Sequence, residues 1–235
     1  MNLLSHRELP DFIVRQLGLP LPGAGAQSAF APELSYGRHH LPPPQDARRA
    51  AVLLLLYRHA GSWRLPLTLR SDTMATHAGQ ISLPGGEIET GETVEQAAMR
   101  ELAEELQVGT DDVKLLGLLS EIYVFASNFA VTPCVAVSPS RPAFLPNRAE
   151  VANLLEPTLV ELLDPHRRGE HQIERRGIHF RAPHIEYQGH RIWGATSMIL
   201  AEFLALVDGA GTRDEAGSRD EAGTREQRPG IRNEL

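Results

Sequence analysis

Residues 85–108 read GGEIETGETVEQAAMRELAEELQV, a paired glycine followed by a run dense in carboxylates. Thr93 stands three residues before Gln96. This is the spacing of a capping box, in which the threonine oxygen accepts from the amide three residues on and the glutamine reaches back. It predicts a helix starting near Val94. At about 100° per residue, Glu104 falls about 60° to one side of Glu101 and Glu105 about 40° to the other, so three carboxylates share one stripe. Ala98, Met99, Leu102 and Leu106 form an apolar stripe on the adjoining face, which predicts that the same helix is anchored to a core.

Like charges at helical i,i+4 spacing destabilise a helix, and crowded carboxylates resist ionising together. A cation among them relieves both effects. Oxygen ligands with no Cys or His close in sequence favour a hard ion, Mg²⁺ or Mn²⁺, over zinc. Taken alone, an E-L-A-E-E string is most often a solvated helix face, and it is the surroundings that set this one apart. Gly86, Glu92, Arg100, Glu101, Leu102, Glu104, Glu105 and Val108 stand in the spacing G-x5-E-x7-R-E-U-x-E-E-x-G-U, with U aliphatic, and the stretch resembles the signature of the Nudix hydrolases. Gln107 departs from it, standing where the signature has its last glycine. Either Gln107 takes a left-handed conformation, or the helix runs on to Gly109 as its stop.

The resemblance implies an α+β fold, an α/β/α sandwich with a mixed β-sheet between helices, that hydrolyses a diphosphate joined to another group. It implies a metal shell built from the Gly85 carbonyl, Glu101, Glu104 and Glu105, with Glu101 either ligand or general base. Arg100 and Glu92 would form an ion pair that orients the glutamates. Residues 67–86, LTLRSDTMATHAGQISLPGG, are similar to the additional motif of the coenzyme A pyrophosphatase branch at Leu67, Thr68, Arg70, Ser71, Gly79, Pro84, Gly85 and Gly86. They depart from it at Ala75, where arginine is usual, and at Leu83, where phenylalanine is usual. Residues 146–151, PNRAEV, and 193–196, WGAT, also look like that branch, so the resemblance runs from about residue 51 to about residue 206.

The implied substrate is coenzyme A or its thioesters, cleaved to 3′,5′-ADP and 4′-phosphopantetheine or its acyl form. Ala75 and Leu83 keep open the same chemistry on ADP-ribose or a dinucleoside polyphosphate. A non-catalytic nucleotide sensor of the same fold is a third reading, against which the intact set Glu92, Arg100, Glu101, Glu104 and Glu105 speaks. Arg70 is the expected phosphate contact because its guanidinium grips two oxygens at once, a salt bridge at a strand end being the plain alternative. His77 is a further candidate substrate contact, and Glu150, in a loop after Pro146 and Asn147, a candidate distal carboxylate for the metal.

The 235 residues, 42% apolar, can bury one substantial core. A net charge of −7 argues against a general nucleic-acid binder but leaves a phosphorylated small molecule open, since bound cations reverse local electrostatics. Cys134 is the only cysteine, which excludes an intramolecular disulfide and predicts a buried core residue. No basic-then-apolar leader opens the sequence, and the apolar run 51–57 is too short to cross a bilayer, so a cytoplasmic location is expected. Neither a G-x-S-x-G elbow nor a G-x4-G-K-S/T loop occurs.

The expected division is an N-terminal extension over 1–50, with a short helix at Glu8–Leu17 and a stiff Pro42-Pro43-Pro44 linker, then a hydrolase domain over 51–208 and a tail over 209–235. That tail repeats every six residues from Gly211, Gly217 and Gly223 with almost no apolar side chain, and disorder is expected there. Strands are expected at 51–57, 65–69, 115–119 and 130–137, and helices at 151–163 and 195–207.

Overall fold

An apolar run without polar alternation, such as residues 51–57, calls for burial on both faces of a strand. In the computed structural model, which describes residues 8–35, 38, 41–71, 79–175 and 177–212, that run lies at the middle of the molecule. The chain passes through α1 (Glu8–Leu17), α2 (Gly23–Gln27), β1 (Arg48–His59), β2 (Ser62–Arg64), β3 (Leu67–Arg70), β4 (Ile81–Ser82), β5 (Gly85–Glu87) and α3 (Val94–Leu106). It continues through β6 (Lys114–Leu118), β7 (Ile122–Val124), β8 (Phe129–Val137), β9 (Val151–Leu155), α4 (Leu159–Leu163), β10 (Arg168–Arg175), β11 (Ile178–Tyr187), β12 (His190–Trp193) and α5 (Ala195–Thr212).

β1 runs parallel to β8 and antiparallel to β2 and β5, while β6 and β7 pair antiparallel with β8, so the principal sheet is mixed. Leu53, Leu55 and Tyr57 pack on one side with Ala97, Ala98, Leu102 and Leu106 of α3. Leu54 and Leu56 belong to the opposite core, with Leu9 and Ile13 of α1 and Phe203 and Val207 of α5. A mixed sheet therefore lies between helices, the α+β arrangement expected. Two smaller antiparallel sheets flank it, β4-β3-β9 and β10-β11-β12.

The helix expected at the N-terminus forms with the bounds read from sequence, and it packs on the core. Glu202 of α5, fully buried, accepts from Gly23 N at 3.1 Å, Gln27 Nε2 at 2.8 Å and Ser120 N at 3.2 Å, which fastens the segment after α1 to the rest. Cys134 is buried as expected, and burial pushes its thiol up to about 12.

The helix expected over 151–163 is replaced by a strand and one short helix. β9 takes residues Val151–Leu155 as an edge partner of β3, and α4 begins only after Pro157, under a capping box formed by Thr158 and Glu161. Proline removes an amide donor and disfavours helix in the residue before it, so a continuous helix through 157 was excluded by the chain itself. α3 stops at Leu106, and Gln107 closes it in the left-handed region at φ 52°, ψ 36°, its N–H donating to Ala103 O at 3.0 Å. Of the two exits open at the sequence level, the strained one is realised. Ala75, His77 and the hexapeptide repeats after Thr212 lie outside the described residues. Among the described residues no helix is long and apolar enough to cross a membrane.

Candidate active site

The capping box sets the rotation of α3. Gln96 N donates to Thr93 Oγ1 at 3.2 Å and Thr93 N to Gln96 Oε1 at 2.8 Å, which fixes where the helix begins. With Ala97, Ala98, Leu102 and Leu106 turned to the sheet, Glu101 comes against Gly86 and Glu105 against the Gly85 amide of β5, while Glu104 stays largely exposed. A side chain at Gly86 would overlap the Glu101 carboxylate, and one at Gly85 would overlap Ala51 O and Val52. The paired glycine is thus what allows main chain and carboxylate to come together.

Arg100 is the hub of the exposed half of the site. Its Nε donates to Glu92 Oε1 at 2.8 Å and its Nη2 to Glu92 Oε2 at 3.1 Å, a fork-on-fork pair, while Nη2 also reaches Glu87 O at 3.0 Å. Its Nη1 donates to Glu101 Oε1 at 2.7 Å and to Glu104 Oε2 at 3.1 Å. Glu92 is itself held by Glu89 N at 2.9 Å. The bonds from Arg100, then that amide, hold the Glu92 carboxyl below the usual carboxylate range, and the bonds to Glu92, then Glu101, raise Arg100 further above its ordinary value. Part of the positive charge that the crowded glutamates call for is therefore a guanidinium from the same helix.

Glu105 is different. It is 2% exposed, its Oε2 has no hydrogen-bond partner, and the nearest cation is Arg70, with Nη1 4.0 Å from Oε1. Burial pushes its pKa up to about 8, against the opposing pull of Arg70 and the Gly85 amide. Glu101 is raised as well, by burial first, with Glu104 and Glu150 adding repulsion against the hydrogen bond from Arg100. Glu150 adds repulsion to both Glu101 and Glu105, so its carboxylate lies within electrostatic reach of the helix.

Among the described residues no three His, Cys, Asp or Glu side chains converge at ligating positions as they stand. The donors are nonetheless all hard oxygens, and one buried carboxylate oxygen is unmet, which is the chemistry that suits Mg²⁺ or Mn²⁺. The structure thus brings Gly85, Glu92, Arg100, Glu101, Glu104, Glu105, Glu150 and Arg70 to one region. Asn147, which sequence reading passed over, joins them: its N–H donates to Glu105 O at 2.8 Å and its Nδ2 to Glu150 Oε1 at 3.1 Å. Its position directly after Pro146, in a sequence suited to a turn, was the available signal.

Residues 47–176 match the model of the NUDIX domain. A protein of Pectobacterium atrosepticum named "Uncharacterized Nudix hydrolase NudL" is 35% identical over 68% of this chain and 83% of its own length. One of the same name from Yersinia pestis is 36% identical over 85% of this chain and 94% of its own. Among solved structures, a Nudix hydrolase from M. smegmatis, RenU, aligns over 76% of this chain and 91% of its own at 17% identity, with a TM-score of 0.46.

Proposed function

The chain belongs to the NUDIX domain family and is a Nudix hydrolase, and from that premise we propose that it cleaves the diphosphate of coenzyme A or its derivatives, giving 3′,5′-ADP and 4′-phosphopantetheine. The observation that carries the substrate reading is the meeting of two motifs. Arg70, from the segment similar to the coenzyme A pyrophosphatase branch, points its guanidinium at Glu105 of the acidic helix across 4.0 Å. A phosphate arriving between them would meet a planar donor fork on one side.

In this reading the Gly85 carbonyl, Glu101, Glu104, Glu105 and Glu150 hold magnesium or manganese. Such an ion, when bound, lowers the pKa of a coordinated water and neutralises charge building on phosphorus. Arg100 keeps Glu101 and Glu104 oriented, its own guanidinium held by the forked pair with Glu92. Glu101 serves as ligand or as general base. Arg70 grips substrate phosphate, and His77 is assigned a contact to the same substrate.

Incubation with Mg²⁺ and a panel of coenzyme A, ADP-ribose and diadenosine polyphosphates tests the substrate. The expected result is fastest turnover of coenzyme A, and faster turnover of either other class overturns it.

A further inference from the structure

The last turn of any helix leaves carbonyls without partners inside it. At the end of α3 two of these are met by one loop, residues 141–150: Asn147 N donates to Glu105 O at 2.8 Å and Leu145 N to Leu106 O at 2.9 Å. The loop is also tied at its start, where Arg141 Nε and Nη2 both bond the Glu156 carboxylate at 2.7 Å. Its far end is tied to the strand bearing Arg70, with Ser71 N donating to Glu150 O at 2.8 Å. Between these anchors Asn147 bonds locally through both its carbonyl and its carboxamide. Its carbonyl accepts from Glu150 N at 3.0 Å and Val151 N at 2.8 Å, its Oδ1 accepts from Ala149 N at 3.2 Å, and its Nδ2 donates to Glu150 Oε1 at 3.1 Å.

An asparagine that merely builds a turn needs only the Oδ1 bond to the amide two residues on. The bond from Nδ2 to the Glu150 carboxylate goes beyond that, because it fixes the direction of a side chain that stands near Glu101 and Glu105. We propose that Asn147 is a positioning residue that sets Glu150 against the acidic face of α3, its main chain fastened to the helix end and its carboxamide holding the Glu150 carboxylate. This rests on the reading of those glutamates as ligands of a divalent cation. Aspartate would not substitute, since it would turn a second anion toward Glu150.

The test is Mn²⁺ binding by the full chain without substrate, followed by electron paramagnetic resonance, with melting temperature of the chelated protein measured alongside. Asn147→Ala keeps all the main-chain bonds, so its metal-free melting should stay close to that of the unmodified chain while Mn²⁺ affinity falls about tenfold or more, the usual effect of losing an outer partner of a ligand. Asn147→Asp keeps the turn bond and should lose at least as much, which covers the case of an alanine variant that folds poorly. In a Glu150→Gln background Asn147→Ala should add nothing, because both changes strike one interaction. Undiminished Mn²⁺ affinity in Asn147→Ala, or losses that simply add, would overturn the proposal while leaving the site intact. Absence of Mn²⁺ binding by the unmodified chain is a separate result that removes the site itself, and the proposal with it.

Discussion

Glu105 and Glu202 are both helical glutamates shut away from solvent, 2% and 0% exposed, and they solve that burial in opposite ways. Glu202 accepts from two main-chain amides and a glutamine, so its charge is met where it stands. Glu105 has an oxygen with no partner, a cation only at 4.0 Å and a pKa pushed up to about 8 by burial. Burying a charge without hydrogen bonds is costly, so a chain that retains such a group spends stability on a task outside folding. Burial alone does not separate a structural carboxylate from a functional one; the account of its hydrogen bonds does.

Removing each charge in turn is the strongest way to break the contrast. Glu105→Gln keeps shape and drops the charge, and turnover should fall at least roughly 10²-fold, as expected when a catalytic metal loses a ligand. The melting temperature of the chelated protein should hold or rise at neutral pH, since an amide no longer has to take up a proton on folding as a carboxyl raised to about 8 does. Unmodified turnover would place Glu105 beside Glu202 as a structural group. Glu202→Leu should do the reverse: it strands three donors and should lower stability by roughly 1–3 kcal/mol in urea unfolding, with the turnover of the folded fraction unchanged. A variant as stable as the parent would show that those donors find water instead.

Gln107→Gly asks whether α3 carries backbone strain as well as an unmet charge. Glycine enters the left-handed region without the side-chain clash that Gln107 bears at φ 52°, and the gain should be roughly 1 kcal/mol, seen as a modest rise in melting temperature. No rise would mean that neighbouring contacts of Gln107 already compensate.

The smallest effect concerns a pair whose satisfaction is conditional. His171 Nδ1 and His184 Nδ1 stand 3.1 Å apart, one donating and one accepting as long as at least one ring is neutral. Burial first, with Arg191 nearby and, for His184, the neighbouring His171 ring, lowers both below the ordinary histidine value. A folded-state pKa below the unfolded value near 6.5 means that stability is complete above about pH 6.5 and is lost as pH falls through the folded value. Melting temperature plotted against pH should bend downward below about 6.5, and His171→Gln should flatten the bend. An unaltered bend in that variant would assign it to other groups.

The same contrast explains what could be read in the sequence. Glu105 was legible because α3 announces itself: a capping box, an apolar stripe and charges at fixed spacing, all local. Glu202 was not, because its partners lie 82 to 179 residues away and its own surroundings, Leu200, Ala201 and Phe203, read only as core. A charged residue in so apolar a run does signal a hidden partner, though not which one. The β10-β11-β12 sheet went unread for another reason. β11 buries Phe180 and Ala182 on one face and Ile185 and Tyr187 on the other, so no steady alternation survives. Its turn into β12 uses Gln188 and Gly189, both at positive φ, where asparagine would have been the plainer sign. Residues 151–163 were misread because apolar periodicity was followed across Pro157.

The carboxylate of Glu202 also bears on how much of the chain makes a self-sufficient piece. Residues 47–176 carry the family match, yet they omit α1, α2 and α5. Cutting the chain to that span would leave Leu54, Leu56 and Val135 facing water where Leu9, Ile13 and Phe203 now lie. The smallest excerpt worth expressing therefore reaches from α1 through α5, well past the borders of the domain match.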